Sequence, residues 1–482
     1  MAESTLEVES KDMPARAGSL AQSIAVPLLI FAVALLGYLF SDYNRFPGVL
    51  GDVPVVGRMQ PEAVPWCSGE EVRPHCWYQH YVYLAEAITK GTLDVSEAQM
   101  PDYYQDSVVE GENRYLPFPV GPALLIVPFV AIWGTDFSEV YFSIVLGALN
   151  VVLFWYLLGL LKVSETTKWL MLPFFAFGTQ QFYSATTGTV WFYGHVAAIF
   201  FVLLALIFLL RKSWPAIPAI FLGFAFLSRE PTILAAPVIA YWLLRQQVDV
   251  NLWDPLVDLF RLRPLRAIRK IFDTIMAVLR DRQALWLAGS FCTALVPFVI
   301  FFFVYNIARF DGPFSTGYHK VYQGYLGINI YSFYRVDFPD APHFELFDPR
   351  NIPLHLYTIF LMPPKFYPDW SVLRPSPYGI SLLFTSPAFI YAFFVRDRTL
   401  WKQLCWPSIV VIAVPLFLHY SQGWVQFGYR FLLDFAPYLL ILTAFGFDSH
   451  DSPGGRRLQF GVVAVSVVAG FWGRYWGNQF GW

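Results

Sequence analysis

Residues Val190 to Leu210 read VWFYGHVAAIFFVLLALIFLL, an apolar run that contains no Asp, Glu, Lys or Arg. An α-helix of about 20 apolar residues is long enough to cross the roughly 30 Å hydrocarbon core of a bilayer. Further apolar runs extend from Leu20 to Phe40, from Leu285 to Tyr305 and from Phe460 to Phe471. The sequence therefore predicts an all-α polytopic membrane protein with about 11 to 13 transmembrane helices.

The composition is typical of a protein that lies in lipid. Of the 482 residues, 56% are hydrophobic and 14% are charged, and the formal net charge is -2. Soluble domains contain about 25% charged residues, so these values do not describe them. Lys and Arg form no stripe large enough to follow a phosphate backbone, which excludes nucleic-acid binding as a function class.

Prolines and glycines interrupt the apolar runs between residues 118 and 210, at Pro173, Gly178, Gly188 and Gly194. Both residue types weaken or end helices in their interior. We therefore expect short or re-entrant helices in this part of the chain, and the number of spans there stays open.

The distribution of Lys and Arg predicts the orientation, because short cytoplasmic loops are enriched in these residues. Residues 246–283 carry many basic side chains with apolar ones between them at helical spacing, which predicts a cytoplasmic segment along the membrane surface. The short loops at 396–402 and 450–457 are also basic. Residues 1–19 are polar and acidic, unlike the positive start of a signal peptide, so we expect an uncleaved first span.

The predicted organisation follows from these signs. It is a cytoplasmic tail (1–19), a first transmembrane helix (20–40), a large extracytoplasmic loop with an amphipathic helix (41–116), transmembrane helices (117–245), the basic cytoplasmic amphipathic segment (246–283), and further transmembrane helices with an extracytoplasmic loop at 310–375 (284–482).

The first extracytoplasmic loop has two further features. Its amphipathic helix is predicted over Tyr78 to Lys90, with Tyr81, Leu84, Ala85 and Ile88 on one face, lying flat on the outer membrane surface. Cys67 and Cys76 are candidates for a disulfide if the loop faces an oxidising compartment. Two unpaired thiols are the alternative.

The end of this loop carries a resemblance to a known family. From Asp102 onward it reads DYYQDSVVEGENRYLPFPVGPALL, with a Gly-x-x-x-Tyr step from Gly111 to Tyr115 and a Pro-x-Gly-Pro start of the next span at Pro119. This pattern resembles the polyprenyl-phosphate-dependent GT-C glycosyltransferases of the mannosyltransferase-like and lipid A aminoarabinose transferase-like branch. Similar segments follow in the family's order, at GH (194–195), GFAFLSREPT (223–232), YNIARFDGPFSTGY (305–318) and QGWVQFGYRFLLD (422–434).

The resemblance implies a GT-C-like helical bundle and an inverting membrane glycosyltransferase. Such an enzyme moves a sugar from a polyprenyl-phosphate donor to an extracytoplasmic acceptor that is a lipid, a glycan or a protein. It implies a bacterial or archaeal cytoplasmic membrane, with contacts to membrane lipids. The chain departs from the family just before the first-loop helix, where an acidic residue is expected and Pro74 to His80 reads PHCWYQH.

This chemistry needs a base for the acceptor proton and a cation for the leaving phosphate. The candidate catalytic residues are Asp106, Asp102 and His80, the last because it stands near the missing carboxylate and titrates near neutrality. Candidates for donor phosphate binding are Arg430, Arg309, Lys365 and Arg374, and candidates for substrate binding are His195, Tyr429 and Trp424. Turn carboxylates and snorkelling cations are the structural alternatives for these residue types.

Two other expectations concern charge and metal. Arg229 and Glu230 lie between two apolar segments and are predicted to form a buried structural ion pair, because charges at membrane depth are costly unless paired. No cofactor is expected, although Asp102 and Asp106 would suit a divalent metal. A transporter or flippase of a lipid-linked substrate is the alternative function, and a non-catalytic scaffold is a third.

Overall fold

The computed structural model describes residues 13–41, 78–101, 104, 106–245, 258, 261–321, 346–367, 372–423 and 425–480. Within these residues, six helices are at least 18 residues long and apolar enough to span a membrane: Ile24–Ser41, Glu139–Leu160, Val190–Leu210, Arg282–Phe310, Thr399–Leu418 and Pro453–Asn478. The shorter apolar helices include Ala216–Ser228 and Ala436–Ser449. The helical, membrane-type architecture is confirmed, while the larger number of spans stays a prediction.

The described chain forms sixteen α-helices and four short β-strands. The helices are α1 (Met13–Ser41), α2 (His80–Thr89), α3 (Gly121–Trp133), α4 (Glu139–Leu160), α5 (Glu165–Phe177), α6 (Gln180–Thr187), α7 (Val190–Leu210), α8 (Ala216–Ser228), α9 (Ala236–Arg245), α10 (Pro264–Arg280), α11 (Arg282–Phe310), α12 (Ile352–Leu356), α13 (Leu382–Thr385), α14 (Thr399–Leu418), α15 (Ala436–Ser449) and α16 (Pro453–Phe480). Two antiparallel hairpins pair β1 (Val108–Glu110) with β2 (Asn113–Tyr115), and β3 (Lys365–Tyr367) with β4 (Val372–Arg374).

The chain between α4 and α7 is broken at two of the four predicted positions. α5 ends before Gly178, and α6 ends at Gly188, which adopts the left-handed φ of 62° that favours glycine. Side chains cap the starts of α5 and α6, since Ser164 accepts from Thr167 N and Thr179 accepts from Gln181 N. Pro173 and Gly194 lie inside α5 and α7 without ending them, so the expected breaks at these two residues were wrong.

One end of the bundle joins the loops that the basic residues assign to the cytoplasm. The Ser164 hydroxyl after α4 donates to the Asp448 carboxylate of α15 over 2.9 Å. The backbone N–H of Arg396, before α14, donates to the Ser449 hydroxyl over 2.9 Å. The two loops predicted to be cytoplasmic, at 396–402 and 450–457, therefore meet at one end, and the turn at Ser164 lies there as well.

The other end joins segments predicted to be extracytoplasmic. Lys320 forms an ion pair with Glu110 of the first hairpin. Phe347 forms an antiparallel bridge with His419 after α14, and Asn478 of α16 donates to the Ser41 carbonyl at the end of α1 over 2.7 Å. We call this the outer end, and the candidate site lies there.

The first-loop helix α2 is buried rather than spread on a surface. The Glu139 carboxylate at the start of α4 accepts from Val82 N at 3.1 Å, which satisfies a donor at the first turn of α2. Glu139 N in turn donates to the Gln79 side-chain oxygen at 3.0 Å. Residues 80–85 are all buried, so the expectation of one apolar face on the membrane surface was wrong. Helix α3 packs against α2.

Helix α10 lies within the basic segment, and most of its residues are exposed. Ala267 is its buried residue, whereas Leu265, Ile268, Phe272 and Leu279 are exposed on the protein surface. These apolar side chains follow one another at helical spacing. The helix therefore presents an apolar stripe that the described protein does not cover.

Candidate functional site

A cavity of about 430 Å³ opens at the outer end of the bundle. Helices α2 and α7 contribute Tyr81, Trp191 and His195, and the turns after α8 and before α15 contribute Arg229, Glu230 and Arg430. Three exposed apolar side chains form part of the lining, Phe314, Phe347 and Leu234, with 79%, 58% and 40% of their surface accessible. The cavity thus combines charged groups inside with an apolar rim.

Asp434 holds two of the lining residues in place. Arg229 Nε donates to Asp434 Oδ1 at 3.0 Å, and Arg229 Nη2 donates to Oδ2 at 2.9 Å. His195 Nδ1 lies 2.7 Å from Oδ1, and an ionised carboxylate only accepts, so Nδ1–H is the donor. The Asp434 side chain has no accessible surface, whereas 21% of Arg229 is exposed. Asp434 therefore acts as a buried anchor that connects α7, the end of α8 and the start of α15.

A second guanidinium lies beside the first. The Cζ atoms of Arg229 and Arg430 are 5.6 and 5.4 Å from the centroid of the same Phe431 ring. Arg430 also lies 5.2 Å from the Phe192 ring centroid. Aromatic faces attract cations at these distances. Both guanidiniums line the cavity, and guanidinium groups match the geometry of anionic oxygens.

Glu230 lines the same cavity from the next position in the chain. The predicted ion pair between Arg229 and Glu230 was wrong, because the guanidinium of Arg229 turns to Asp434 instead. Within the described part of the chain, Glu230 forms no ion pair and no side-chain hydrogen bond with another residue. It is partly exposed, and it begins the short 3₁₀ turn Glu230–Ala235.

Two of the three candidate catalytic residues, Asp106 and His80, lie next to residues that line this cavity. Asp106 Oδ2 accepts a hydrogen bond of 2.6 Å from Trp191 Nε1, and it is Trp191 that lines the cavity. His80 is fully buried, and its ring lies 4.9 Å from Tyr104 and 5.7 Å from Trp191. Asp102 lies outside the described residues. In place of a carboxylate, α2 contributes Tyr81 to the cavity.

The predicted phosphate-binding cations occupy different places. Arg430 lines the cavity, whereas Arg309 is buried in α11 and donates to the Leu116 carbonyl and to Asn306 Oδ1. Arg309 thereby ties α11 to the first loop. Lys365 lies 5.9 Å from the Tyr378 ring and Arg374 lies 5.2 Å from the Trp476 ring, and neither belongs to the cavity lining.

The predicted substrate-binding residues do not all lie at the cavity either. His195 lines the cavity, but the Tyr429 side chain is buried and its hydroxyl bonds His355 Nδ1 at 2.8 Å. Trp424 and the disulfide candidates Cys67 and Cys76 lie outside the described residues. Among the residues that the structure does describe, no group of three or more His, Cys, Asp or Glu side chains is arranged to hold a metal ion.

Sequence reasoning missed the roles of Arg229, Glu230 and Asp434 in this site. All three stand in quoted motifs, but Arg229 and Glu230 were interpreted as each other's partner and Asp434 was given no role. The available signal was that charged residues at the ends of apolar helices are rare and usually functional. The ion pair between Arg229 and Asp434 could not be predicted from the sequence, because 205 positions separate the two residues.

Comparison with known protein families and with curated proteins finds no match for this chain.

Proposed function

We propose that this protein is a membrane glycosyltransferase that takes a sugar from a polyprenyl-phosphate donor. The observation that carries the proposal is the pair of guanidiniums, Arg229 and Arg430, which line one cavity with an exposed apolar rim and both lie near the Phe431 ring. A lipid-linked sugar phosphate has the same two parts, an anionic group and a long apolar chain. Snorkelling explains single cations at the ends of spans, but it does not explain two that meet at one ring.

The cavity fits such a donor in size and in chemistry. Its volume of about 430 Å³ lies within the usual range of roughly 300 to 1,000 Å³ for ligand sites. Guanidinium groups match the oxygen geometry of phosphate and keep their charge at any physiological pH. The exposed Phe314, Phe347 and Leu234 offer a surface for the first isoprenoid units. Trp191 offers an aromatic face for a sugar ring.

The reaction we propose is direct displacement at the anomeric carbon, with inversion. The acceptor hydroxyl of a lipid, a glycan or a protein attacks from the face opposite the phosphate. Negative charge grows on the leaving phosphate, and preorganised cations stabilise that charge most where water is excluded. The cavity lies at the predicted extracytoplasmic end, which supports transfer on the outer face of a bacterial or archaeal cytoplasmic membrane.

Turnover of radiolabelled polyprenyl-phosphate sugars by the purified protein tests this function. We expect Arg430→Ala to lower kcat/KM by about 100-fold or more, because a guanidinium that lines the cavity and would stabilise the leaving phosphate is removed. Arg350→Ala is the matched control, since this arginine is 63% exposed, pairs with Asp348 and does not line the cavity.

Two results would contradict the proposal. Full activity of Arg430→Ala would remove this residue from the phosphate site. An absence of turnover across a panel of donors, together with movement of a lipid-linked sugar between leaflets of proteoliposomes, would favour a flippase.

A further inference from the structure

The cavity contains a carboxylate that the phosphate site does not use. We propose that Glu230 is the catalytic base that accepts the proton of the acceptor hydroxyl. This inference rests on the proposed glycosyl transfer and names a residue that no resemblance assigns. Glu230 lines the large cavity together with Arg229 and Arg430, and it also lines a small adjoining pocket with Tyr305 and Arg309.

The other described carboxylates near the cavity are already engaged. Both oxygens of Asp434 accept from Arg229, one of them also from His195, and the side chain is fully buried. Asp106 accepts from the indole of Trp191 and does not line the cavity. Glu139 is buried at the N-terminal turn of α2. Glu230, by contrast, lines the cavity without an ion pair in the described part of the chain.

The local backbone separates Glu230 from its neighbour. Helix α8 ends at Ser228, and Arg229 adopts an extended conformation with φ -150° and ψ 106°. Successive side chains of extended backbone point to opposite sides. Arg229 turns to Asp434, and Glu230 therefore faces another direction at the start of the 3₁₀ turn, where Pro231 restricts the next backbone angle.

Close packing fixes this turn against the start of α3. Gly121 begins α3, and a Cβ atom built there would lie 2.5 Å from the Ser228 hydroxyl and 2.6 Å from the Leu227 carbonyl. The backbone of α3 thus lies directly on the last residues of α8. Catalytic groups must be held within fractions of an ångström of their working position, and this contact supplies such support.

The position of Glu230 also accounts for the missing carboxylate in the first loop. His80 stands near the position where the resemblance predicts a carboxylate, yet its ring is enclosed by Tyr104, Phe118 and Trp191. Its neighbour Tyr81 reaches the cavity without being able to act as an anionic base. Glu230 supplies a carboxylate to the same cavity from a different element.

The transfer step forms one bond and breaks one bond at the anomeric carbon. The acceptor oxygen forms a bond to the anomeric carbon while the bond from that carbon to the phosphate oxygen breaks. The bonding electron pair leaves with the polyprenyl phosphate, whose charge Arg430 and Arg229 stabilise. The acceptor proton moves to the Glu230 carboxylate, and water removes it after the product leaves.

The test compares Glu230→Gln and Glu230→Asp with the control Glu112→Gln, which changes an exposed glutamate outside the cavity. We expect Glu230→Gln to lower kcat by about 100-fold or more with donor KM within about threefold, because general bases contribute roughly 10²- to 10⁴-fold. Glu230→Asp should retain part of the activity. The rise of wild-type kcat with increasing pH should be absent from the residual activity of Glu230→Gln.

The outcomes separate this inference from the proposed function. If the wild type turns over donor and Glu230→Gln retains full kcat, the role of Glu230 is overturned while the function stands. If Glu230→Gln loses binding of the radiolabelled donor instead of kcat, Glu230 is a structural counter-charge and not the base. If the wild type turns over no donor, both proposals fail.

Discussion

Asp434 is a buried carboxylate whose oxygens are shared between a guanidinium and an imidazole. In an apolar surrounding, such a group is stable only when its charge is balanced and its lone pairs are used. Arg229 balances the charge through two oxygens, and His195 uses a further lone pair. The anion-binding geometry of the cavity therefore depends on a residue that does not itself line it.

Removal of the Asp434 carboxylate should destabilise the protein strongly. Asp434→Ala leaves the Arg229 guanidinium without its partner, a change that costs about 3 to 5 kcal/mol in buried pairs. We expect a lower Tm in detergent and loss of donor binding, with Asp434→Asn intermediate because it retains one acceptor oxygen. Asp273→Ala, on the exposed surface of α10, is the control. A Tm of Asp434→Ala equal to that of this control would contradict the anchoring role.

The predictability of the site differs from residue to residue for a physical reason. Arg430 can be predicted because it follows a polar aromatic segment at the start of a span, where a cation reaches the headgroup level. Asp434 cannot be paired with His195 from sequence, because 239 positions separate them and only the packed bundle brings them together. The predicted pairing of Glu230 with Arg229 was wrong for a local reason. The two charges are adjacent in sequence, but the extended backbone at Arg229 points their side chains in different directions.

Helix α10 shows what the pattern of apolar and basic residues within one helix can predict. Its apolar and basic residues alternate at helical spacing, and the structure has a helix there whose apolar stripe is exposed. The sequence pattern of α2 also predicts an amphipathic helix, but it does not predict that other helices bury this helix on several sides. Amphipathicity predicts that a helix has a buried face, whereas it does not predict whether other parts of the chain cover the remaining faces.

The exposed stripe of α10 should lie in the interfacial region of a bilayer. In spin-label measurements on proteoliposomes, we expect labels at Ile268, Phe272 and Ile275 to be more accessible to oxygen, because these residues face the acyl chains. Labels at Arg266, Arg269 and Asp273 should be more accessible to a water-soluble relaxation agent. Equal accessibility along the helix would show that α10 does not lie on the membrane, and anionic lipids should increase the contrast.

At the scale of the whole molecule, the two ends of the bundle differ in composition. The end that joins Ser164, Asp448 and Arg396 has basic loops, and the outer end has the cavity. The order of the long helices and their grouping could be anticipated from hydropathy and charge. The breaks at Gly178 and Gly188 could be anticipated too, but the number of spans could not, because α5 and α6 are too short for a length criterion.

Cysteine labelling in intact cells tests this orientation. In a variant with its native cysteines replaced, Glu112→Cys at the outer end should react with a membrane-impermeant maleimide. Glu165→Cys at the opposite end, where the side chain is 75% exposed, should react only after the membrane is opened. Labelling of both positions, or the reverse pattern, would contradict the predicted orientation and with it the extracytoplasmic placement of the cavity.

The link between Arg229 and Asp434 also has a consequence for biosynthesis. A growing chain that has inserted α8 carries the Arg229 guanidinium at the end of an apolar helix, while its carboxylate partner is still 205 residues from being added. The binding wall of the cavity is therefore among the last features to assemble. A chain truncated before residue 434 would retain most of its apolar helices, yet it would hold an unpaired charge where the finished protein has an anchor.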